Sequence, residues 1–508
     1  MNDKHDLAST LSGHFPLVTI QSHEETRALA LLLEIAREQG RPLLTWSVTD
    51  GLRRDKHADG GGIDWKSVTF HGQGDTPARE AADSPERMLR DLQRAGDRPI
   101  VALLDFHPYL NEPRIVRRLK ELAIDHPQNG VSVVLISHQL DLPAELGRLS
   151  AAFELSLPDT TQIKRLIQDE AQIWSIRNSN QDLKGDKEAY RQLARALTGL
   201  TVTDVKRLVR NAIYDDGAIT HSDVPEVMEA KYRLIGQDGL LSFEYDTARF
   251  TEVGGLARLK GWLNLRKSAF LDGAAGPLEP PKGILLLGVQ GSGKSLAAKA
   301  VAGTWGVPLL RLDVGALYDK YIGETEKNIR QSLAAAQVMA PCVLWVDEIE
   351  KGFATSDNDD GTSLRVLGTL LTWMAAHPKS VFIVATANDV QSLPPELIRK
   401  GRLDEIFFVD LPGVDARRSI FDIHIAKRDT GQVEIDTRQL ALASDGFSGA
   451  EIEQAVISAL YAAHGMRQPI STEIILSEVQ RTRPLAIVMA EQIAVLRGWA
   501  AGRTVPAD

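Results

Sequence analysis

Cysteine is almost absent from this chain: Cys342 stands alone among 508 residues. One thiol forms neither a disulfide framework within the chain nor a paired-cysteine zinc cluster. Aromatic residues are few, at 6%. Long hydrophobic runs are lacking too. The longest charge-free stretch, Leu7 to His23, is broken by Ser9, Ser12, Gly13, His14, Pro16 and Gln21, which excludes a membrane-spanning helix there. Positive charge is the minority, with 58 Lys and Arg against 68 Asp and Glu, a net charge of −10. That balance makes nucleic acid and anionic lipid poor default partners. The twelve histidines include no His-x-x-x-His pair around a glutamate, so a fused zinc protease finds no support. Met1–Gly13 has no basic start followed by an apolar run, so no secretory signal is expected and a cytoplasmic location is.

What is present is ordinary globular material: 43% hydrophobic and 25% charged residues, enough for about three domains. Short apolar runs read as strands buried on both faces of a parallel sheet. They are Leu17–Ile20, Ile100–Asp105, Val131–Ile136, Gly283–Leu287, Val343–Val346, Val381–Ala385 and Ile406–Val409. Helical patterns such as Thr26–Gln39, Ser295–Gly303 and Glu324–Met339 fall between them. Gly- and charge-rich breaks cover Asp55–Pro77 and Asp272–Pro281. A polar stretch, Gly217–Asp246, reads as a linker and puts a domain boundary near residue 240.

The halves echo one another. Val381–Ala385 is followed by Leu393-Pro394-Pro395-Glu396-Leu397 and later Gly446-Phe447-Ser448-Gly449. Val131–Ile136 is followed by Leu142-Pro143-Ala144-Glu145-Leu146 and later Gly199-Leu200-Thr201-Val202. Asp105 ends an apolar strand as Asp347 does. The order and spacing favour a duplication, although any two α/β domains share some strand–turn–strand order.

Chemistry concentrates in the second half. Gly288-Val289-Gln290-Gly291-Ser292-Gly293-Lys294-Ser295 fits a phosphate-binding loop between a strand and a helix. Its glycines let backbone N–H groups face phosphate at a helix N-terminus. Lys294 suits the β- and γ-phosphates of ATP, and the Ser295 hydroxyl suits Mg²⁺. Further on, Val343–Val346 runs into Asp347 and Glu348. Asp347 suits the Mg²⁺ shell and Glu348 a base for the attacking water; the rival reading is a plain helix cap. Asn388 ends another strand, where it would hold that water from the other side. Arg399 and Arg402 are either a solvated helix face or charge-stabilising residues for a neighbouring subunit's γ-phosphate. His107 and His138, at strand ends of the first half, read as structural histidines.

From about residue 248 to 485 these motifs, in this order, resemble the AAA clade of AAA+ ATPases. The resemblance implies a parallel sheet flanked by helices with a small helical lid, residues 241–415 and 416–508. Before it, residues 1–240 would form a degenerate AAA-like α/β domain. It implies that Val253 and Gly254 touch adenine, together with His424, Gly449 and Ala450 of the lid. It implies that Lys320, Tyr321 and Ile322 form a pore loop that grips polypeptide. Asp357, Asp359 and Asp360 would lie in a second pore loop, or in a plain solvated one. Glu350 stands where aspartate is usual, with no consequence expected. No arginine occurs in Gly446–Glu453, as is typical of this clade. The whole chain resembles AAA proteins first seen as chloroplast open reading frames. Their first half lacks nucleotide chemistry, and here Gln21-Ser22-His23-Glu24-Glu25-Thr26 offers carboxylates and no lysine. The expected activity is Mg-ATP hydrolysis by a homo-oligomeric ring, a hexamer, that remodels protein. A nucleic-acid motor and a nucleotide-gated scaffold are the alternatives.

Overall fold

A computed structural model describes residues 3–13, 15–56, 64–67, 84–179, 181, 184–235, 241–271, 278–314, 325–353, 362–376, 380–399, 401–428 and 434–508. The chain divides into two compact units, Met1–Leu157 and Pro158–Asp508.

The first unit is built on a seven-stranded sheet: β1 (Leu17–Gln21), β2 (Leu43–Ser47), β3 (Gly51–Lys56), β4 (Asp64–Ser67), β5 (Ile100–Leu104), β6 (Ser132–Ser137) and β7 (Ser150–Phe153). Their order is β4-β3-β2-β5-β6-β1-β7. The five strands β2, β5, β6, β1 and β7 are parallel, and β3 and β4 add an antiparallel edge. β5 and the apolar centre of β6, Val133–Ile136, are buried on both faces, as central parallel strands must be. Leu17, Val101, Val133 and Leu135 turn one way, against the helix Pro113–Ile124. Val18, Ile20, Ala102 and Val134 turn the other, against Glu25–Glu38.

The second unit opens with four helices, Thr160–Arg177, Lys187–Ala196, Val202–Asp216 and Asp223–Ile235, around Ile163, Leu193, Val209 and Val227. Its sheet follows: β10 (Leu241–Glu244), β11 (Gly283–Gly288), β12 (Leu309–Leu312), β13 (Cys342–Val346), β14 (Val381–Ala387), β15 (Glu405–Val409) and β16 (Val505–Pro506). A short pair, β8 (Lys184–Gly185) and β9 (Ala218–Ile219), ties the helices together. The sheet order is β10-β12-β13-β14-β11-β15-β16. Within it β12, β13, β14, β11 and β15 are parallel, and β10 is antiparallel. Four more helices, Val414–Ala426, Thr437–Ala443, Gly449–Met466 and Thr472–Arg481, form a small bundle over Phe421, Ile452, Val456 and Ile475. The C-terminal β16 then returns to β15.

The polar stretch 217–246 supplies the helix Asp223–Ile235 and β10. A buried cation holds that helix to its neighbours. Lys231 is only 1% exposed, and its ammonium donates to the carbonyls of Ala196 and Thr198. It thereby satisfies the C-terminal end of a neighbouring helix. Read as sequence, that lysine mimics a solvated surface. Thr198 in turn donates to the Ala340 carbonyl at 3.1 Å, joining these helices to the body that carries the second sheet.

Candidate active site

β11 is apolar over Ile284–Leu287, and all four side chains are completely buried. Each such burial contributes about 2 kcal/mol and holds the strand end in place. Beyond it the loop turns on Gly291 (φ 74°) and Gly293 (φ 96°), left-handed angles that a side chain resists. The helix Lys294–Trp305 starts directly after Gly293. Gly288 has no room for a side chain, since a Cβ there would sit 2.0 Å from the Val409 carbonyl oxygen.

The loop lines a cleft of about 440 Å³ between the sheet's edge and the small helical bundle. Gln290, Gly291, Ser292, Gly293, Lys294 and Ser295 line its floor, and Asp347, Glu348, Thr386 and Asn388 its far wall. At the other end stand Val253, Gly254, Ile420, Ile423, His424, Gly449 and Ala450. Gly288 lies behind the floor, and its carbonyl accepts from Lys294 Nζ at 2.9 Å. Lys294 is 6% exposed and also donates to the Val289 carbonyl at 2.7 Å. Burial pulls its pKa down to about 8, against the opposing pull of Glu350, Asp347 and Glu348. The Ser292 hydroxyl is buried and makes no hydrogen bond. An orphaned donor at this position fits a phosphate oxygen.

β13 and β14 aim the wall. Thr386 Oγ1 donates to Asp347 Oδ1 at 2.7 Å and accepts from the Glu348 N–H at 3.0 Å. Arg311, on β12, donates to Asp347 Oδ2 at 3.3 Å. Glu348 takes a left-handed φ of 45°. Its Oε1 accepts from Asn388 Nδ2 at 3.0 Å and its Oε2 pairs with Lys351. Asn388 thus holds the Glu348 carboxylate. Glu350 is consequential as well. It is buried, which raises its pKa, and its Oε1 accepts the Asn388 N–H at 2.9 Å, fixing that strand end.

The third wall has the shape of a flat apolar slot. A Cβ on Gly254 would lie 2.5 Å from Ile420, and one on Gly291 would lie 3.4 Å from the Ala450 side chain. Ala450 N–H donates to the Gly291 carbonyl at 3.3 Å, so the small bundle touches the phosphate loop directly. His424 has its pKa lowered, chiefly by burial, and its Nδ1 lies 3.3 Å from the Arg428 guanidinium and 3.4 Å from the Glu453 carboxylate.

Arg399 and Arg402 do not line this cleft. Arg399 is exposed and makes no ion pair among the described residues, while Arg402 donates to the Glu396 carbonyl. Lys320, Tyr321 and Ile322, and the acidic loop Asp357–Asp360, lie outside the described residues. Sequence reasoning missed Thr386, Arg311, Ile420 and Lys351. Thr386 had a signal: it shares a strand face with Asn388, two residues on. Arg311 had none, being an isolated cation in the short run Leu309–Leu312.

The family described as ATPases associated with various cellular activities (AAA) matches residues 284–411. Families described as the N-terminal and second domains of a SpoVK-like AAA ATPase match residues 3–155 and 161–238. The uncharacterized AAA domain-containing protein ycf46 of Gracilaria tenuistipitata var. liui is 37% identical, covering 98% of both chains. That of Pyropia yezoensis is 34% identical over the same shares. The proteasome-activating nucleotidase of Methanosarcina mazei is 33% identical over 40% of this chain and 50% of its own. The chain belongs to the AAA ATPase family, in the ycf46 group, and is an ATP hydrolase that binds nucleotide.

Proposed function

We propose that this ATPase works as a Mg²⁺-dependent homohexameric ring that remodels protein, its cleft completed by Arg399 and Arg402 of the adjacent subunit. The observation that carries the ring is the split within the site. One chain gathers Lys294, Asp347, Glu348 and Asn388 on a single cleft, yet leaves both arginines outside it. A charge-stabilising arginine acts only at the γ-phosphate. AAA ATPases commonly form rings, and the Methanosarcina relative is a proteasome-activating nucleotidase, which supports a polypeptide substrate. Lys320, Tyr321 and Ile322 are the residues assigned to grip it.

In this reading Ser295 and Asp347 hold Mg²⁺. Their hydroxyl and carboxylate are the hard oxygen donors that ion takes, and Thr386 and Arg311 keep the carboxylate aimed. Bound there, Mg²⁺ neutralises charge on the β- and γ-phosphate oxygens. Lys294 binds the same phosphates, Ser292 donates to them, and the slot around Gly254 and Ile420 seats adenine. Glu348, oriented by Asn388, takes the proton of the attacking water. A cytoplasmic location accords with this reading. Among the described residues no helix is long and apolar enough to cross a membrane.

Mixed assemblies test it. Arg399→Ala and Arg402→Ala chains should bind ATP but turn it over slowly, and mixing either with Lys294→Ala chains should restore part of the activity. Co-assembled rings with no gain over either parent would refute the shared site. A Glu348→Gln chain should retain polypeptide in ATP and release it in ADP. Retention of single-stranded nucleic acid instead would favour a nucleic-acid motor, and no ligand at all a nucleotide-gated scaffold.

A further inference from the structure

The first unit carries different side chains at the three strand ends that correspond to the ATPase cleft. β1 leads to His23, β5 to Asp105 and His107, and β6 to Ser137 and His138. Ligand atoms of Asp105, His107 and His138 all lie within 4.8 Å of one another. The His107 and His138 rings meet edge to face at 4.9 Å, and His23 stacks on His138 at 5.8 Å. His107 and His138, read in the sequence as structural histidines, are not closed within the core. His23, His138 and Asp105 are exposed, and His107 is half-buried.

Ser137 organises the group. Its buried hydroxyl lies 3.3 Å from Asp105 Oδ1, to which it donates, and 2.8 Å from His107 Nδ1. A hydroxyl has one hydrogen, so with that given to the carboxylate it accepts from His107 Nδ1–H. This sets the tautomer: Nδ1 is protonated and the Nε2 lone pair is free for a ligand. A hydrogen bond on the far nitrogen is the usual partner of a metal-bound imidazole. Asp105 keeps Oδ2 for the same purpose.

We propose that Asp105, His107 and His138 bind one divalent transition ion of the zinc class, with further positions open to water or an incoming donor. Two imidazoles and a carboxylate suit Zn²⁺, Co²⁺ or Ni²⁺, whereas Mg²⁺ and Ca²⁺ prefer oxygen alone. Donors about 2.1 Å from a tetrahedral ion stand about 3.4 Å apart, so the cluster closes by about an ångström on binding. Exposed side chains at Asp105 and His138 permit that by rotation. The sheet edge that holds nucleotide in the second unit thus holds an ion in the first.

The full chain, stripped with a chelator, is titrated with Co²⁺ alone by absorbance and with Zn²⁺ alone by calorimetry. One ion per chain is expected. His107→Ala and His138→Ala should each weaken it by at least about tenfold, and Ser137→Ala by less. Zn²⁺ should raise the unfolding midpoint of the native chain and not of the His107→Ala/His138→Ala double variant. Asp347→Asn, which alters the ATPase site, and His221→Ala, which removes another exposed histidine, should bind as the native chain does. Undiminished binding in folded His107→Ala/His138→Ala chains would overturn the assignment. So would loss of the ion in Asp347→Asn, or no binding at all by the native chain.

Discussion

Two sheets in this chain share one strand order and differ in the loop after their first strand. In chain order the five parallel strands of each run second, third, fourth, first, fifth across the sheet. Register makes the comparison specific. Ile20 pairs with Ile136 as Leu285 pairs with Ala385, and Leu104 pairs with Ile136 as Val346 does with Ala385. Asp105 and Asp347 therefore occupy one position, and so do Ser137 and Thr386. Even the hydroxyl-to-carboxylate bond is kept, Ser137 to Asp105 and Thr386 to Asp347. Between the shared register point and the helix that follows lie four residues in the first unit, Gln21 to Glu24. In the second lie eight, Leu286 to Gly293. The shorter loop has no lysine and no room to wrap a phosphate, and it brings Glu24 and Glu25 instead. A common scaffold keeps its hydrogen-bonded wall while a four-residue difference removes the anion cradle.

Lys294→Ala breaks the comparison most severely. Losing the ammonium from the β/γ-phosphate position should weaken ATP binding by about a hundredfold or more. If the first unit binds no nucleotide, the full-length variant retains no micromolar ATP site. Equilibrium titration with labelled ATP checks this, and residual tight binding would reveal a second site. Glu348→Gln should come next. ATP binding persists while turnover falls at least about a hundredfold, because the water loses its base. Single-turnover hydrolysis is the readout, and near-native turnover would remove Glu348 from that role.

Thr386→Val and Ser137→Ala sharpen the comparison as a matched pair. The first leaves the Glu348 N–H without its partner and Asp347 free to turn, at a cost of about 1–3 kcal/mol. Turnover should drop about tenfold or more, with the melting temperature lowered by a few degrees. Ser137→Ala, at the corresponding wall, should leave ATP turnover as it is. Equal losses in both would show that the two walls are coupled.

The smallest effect is in pH. Lys294 in the free cleft titrates near 8, and phosphate binds its charged form. Below pH 8 the amine is already protonated and affinity should be flat. Above it, binding must draw in a proton, so affinity should fall by up to about tenfold per pH unit until the bound-state pKa is reached. Calorimetry in buffers of different ionisation enthalpy would register that proton uptake.

Much of this was legible along the chain. The phosphate loop announces itself because its chemistry needs contiguous residues: glycines for φ, a lysine at a set distance, a hydroxyl beside it. Asp347, Glu348 and Asn388 follow apolar strands, and a strand end is where a sheet presents side chains. The echo between Gly199-Leu200-Thr201 and Gly446-Phe447-Ser448 is structural as well. Both glycines take positive φ, and Thr201 and Ser448 each cap a helix through the side-chain oxygen. Short or mixed strands were not legible. Leu309–Leu312 carries Arg311, and Ser150–Phe153 is mostly small residues, so neither forms an apolar run.

The sequence by itself determined that the second half carries the phosphate loop of an ATPase, because a phosphate cradle is a local object. It also determined the strand–helix alternation, through apolar runs whose burial drives folding. Tertiary structure alone decided which residues meet across strands. Thr386 reaches Asp347, Arg311 reaches it from another strand, and Asn388 turns to Glu348, each contact spanning more than thirty positions. It decided that residues 158–235 join the second unit, since burying Lys231 against helix-end carbonyls is a choice of partners and not of composition. It also brought Asp105, His107 and His138 together, because parallel strands align their ends in space however far apart they lie in the chain.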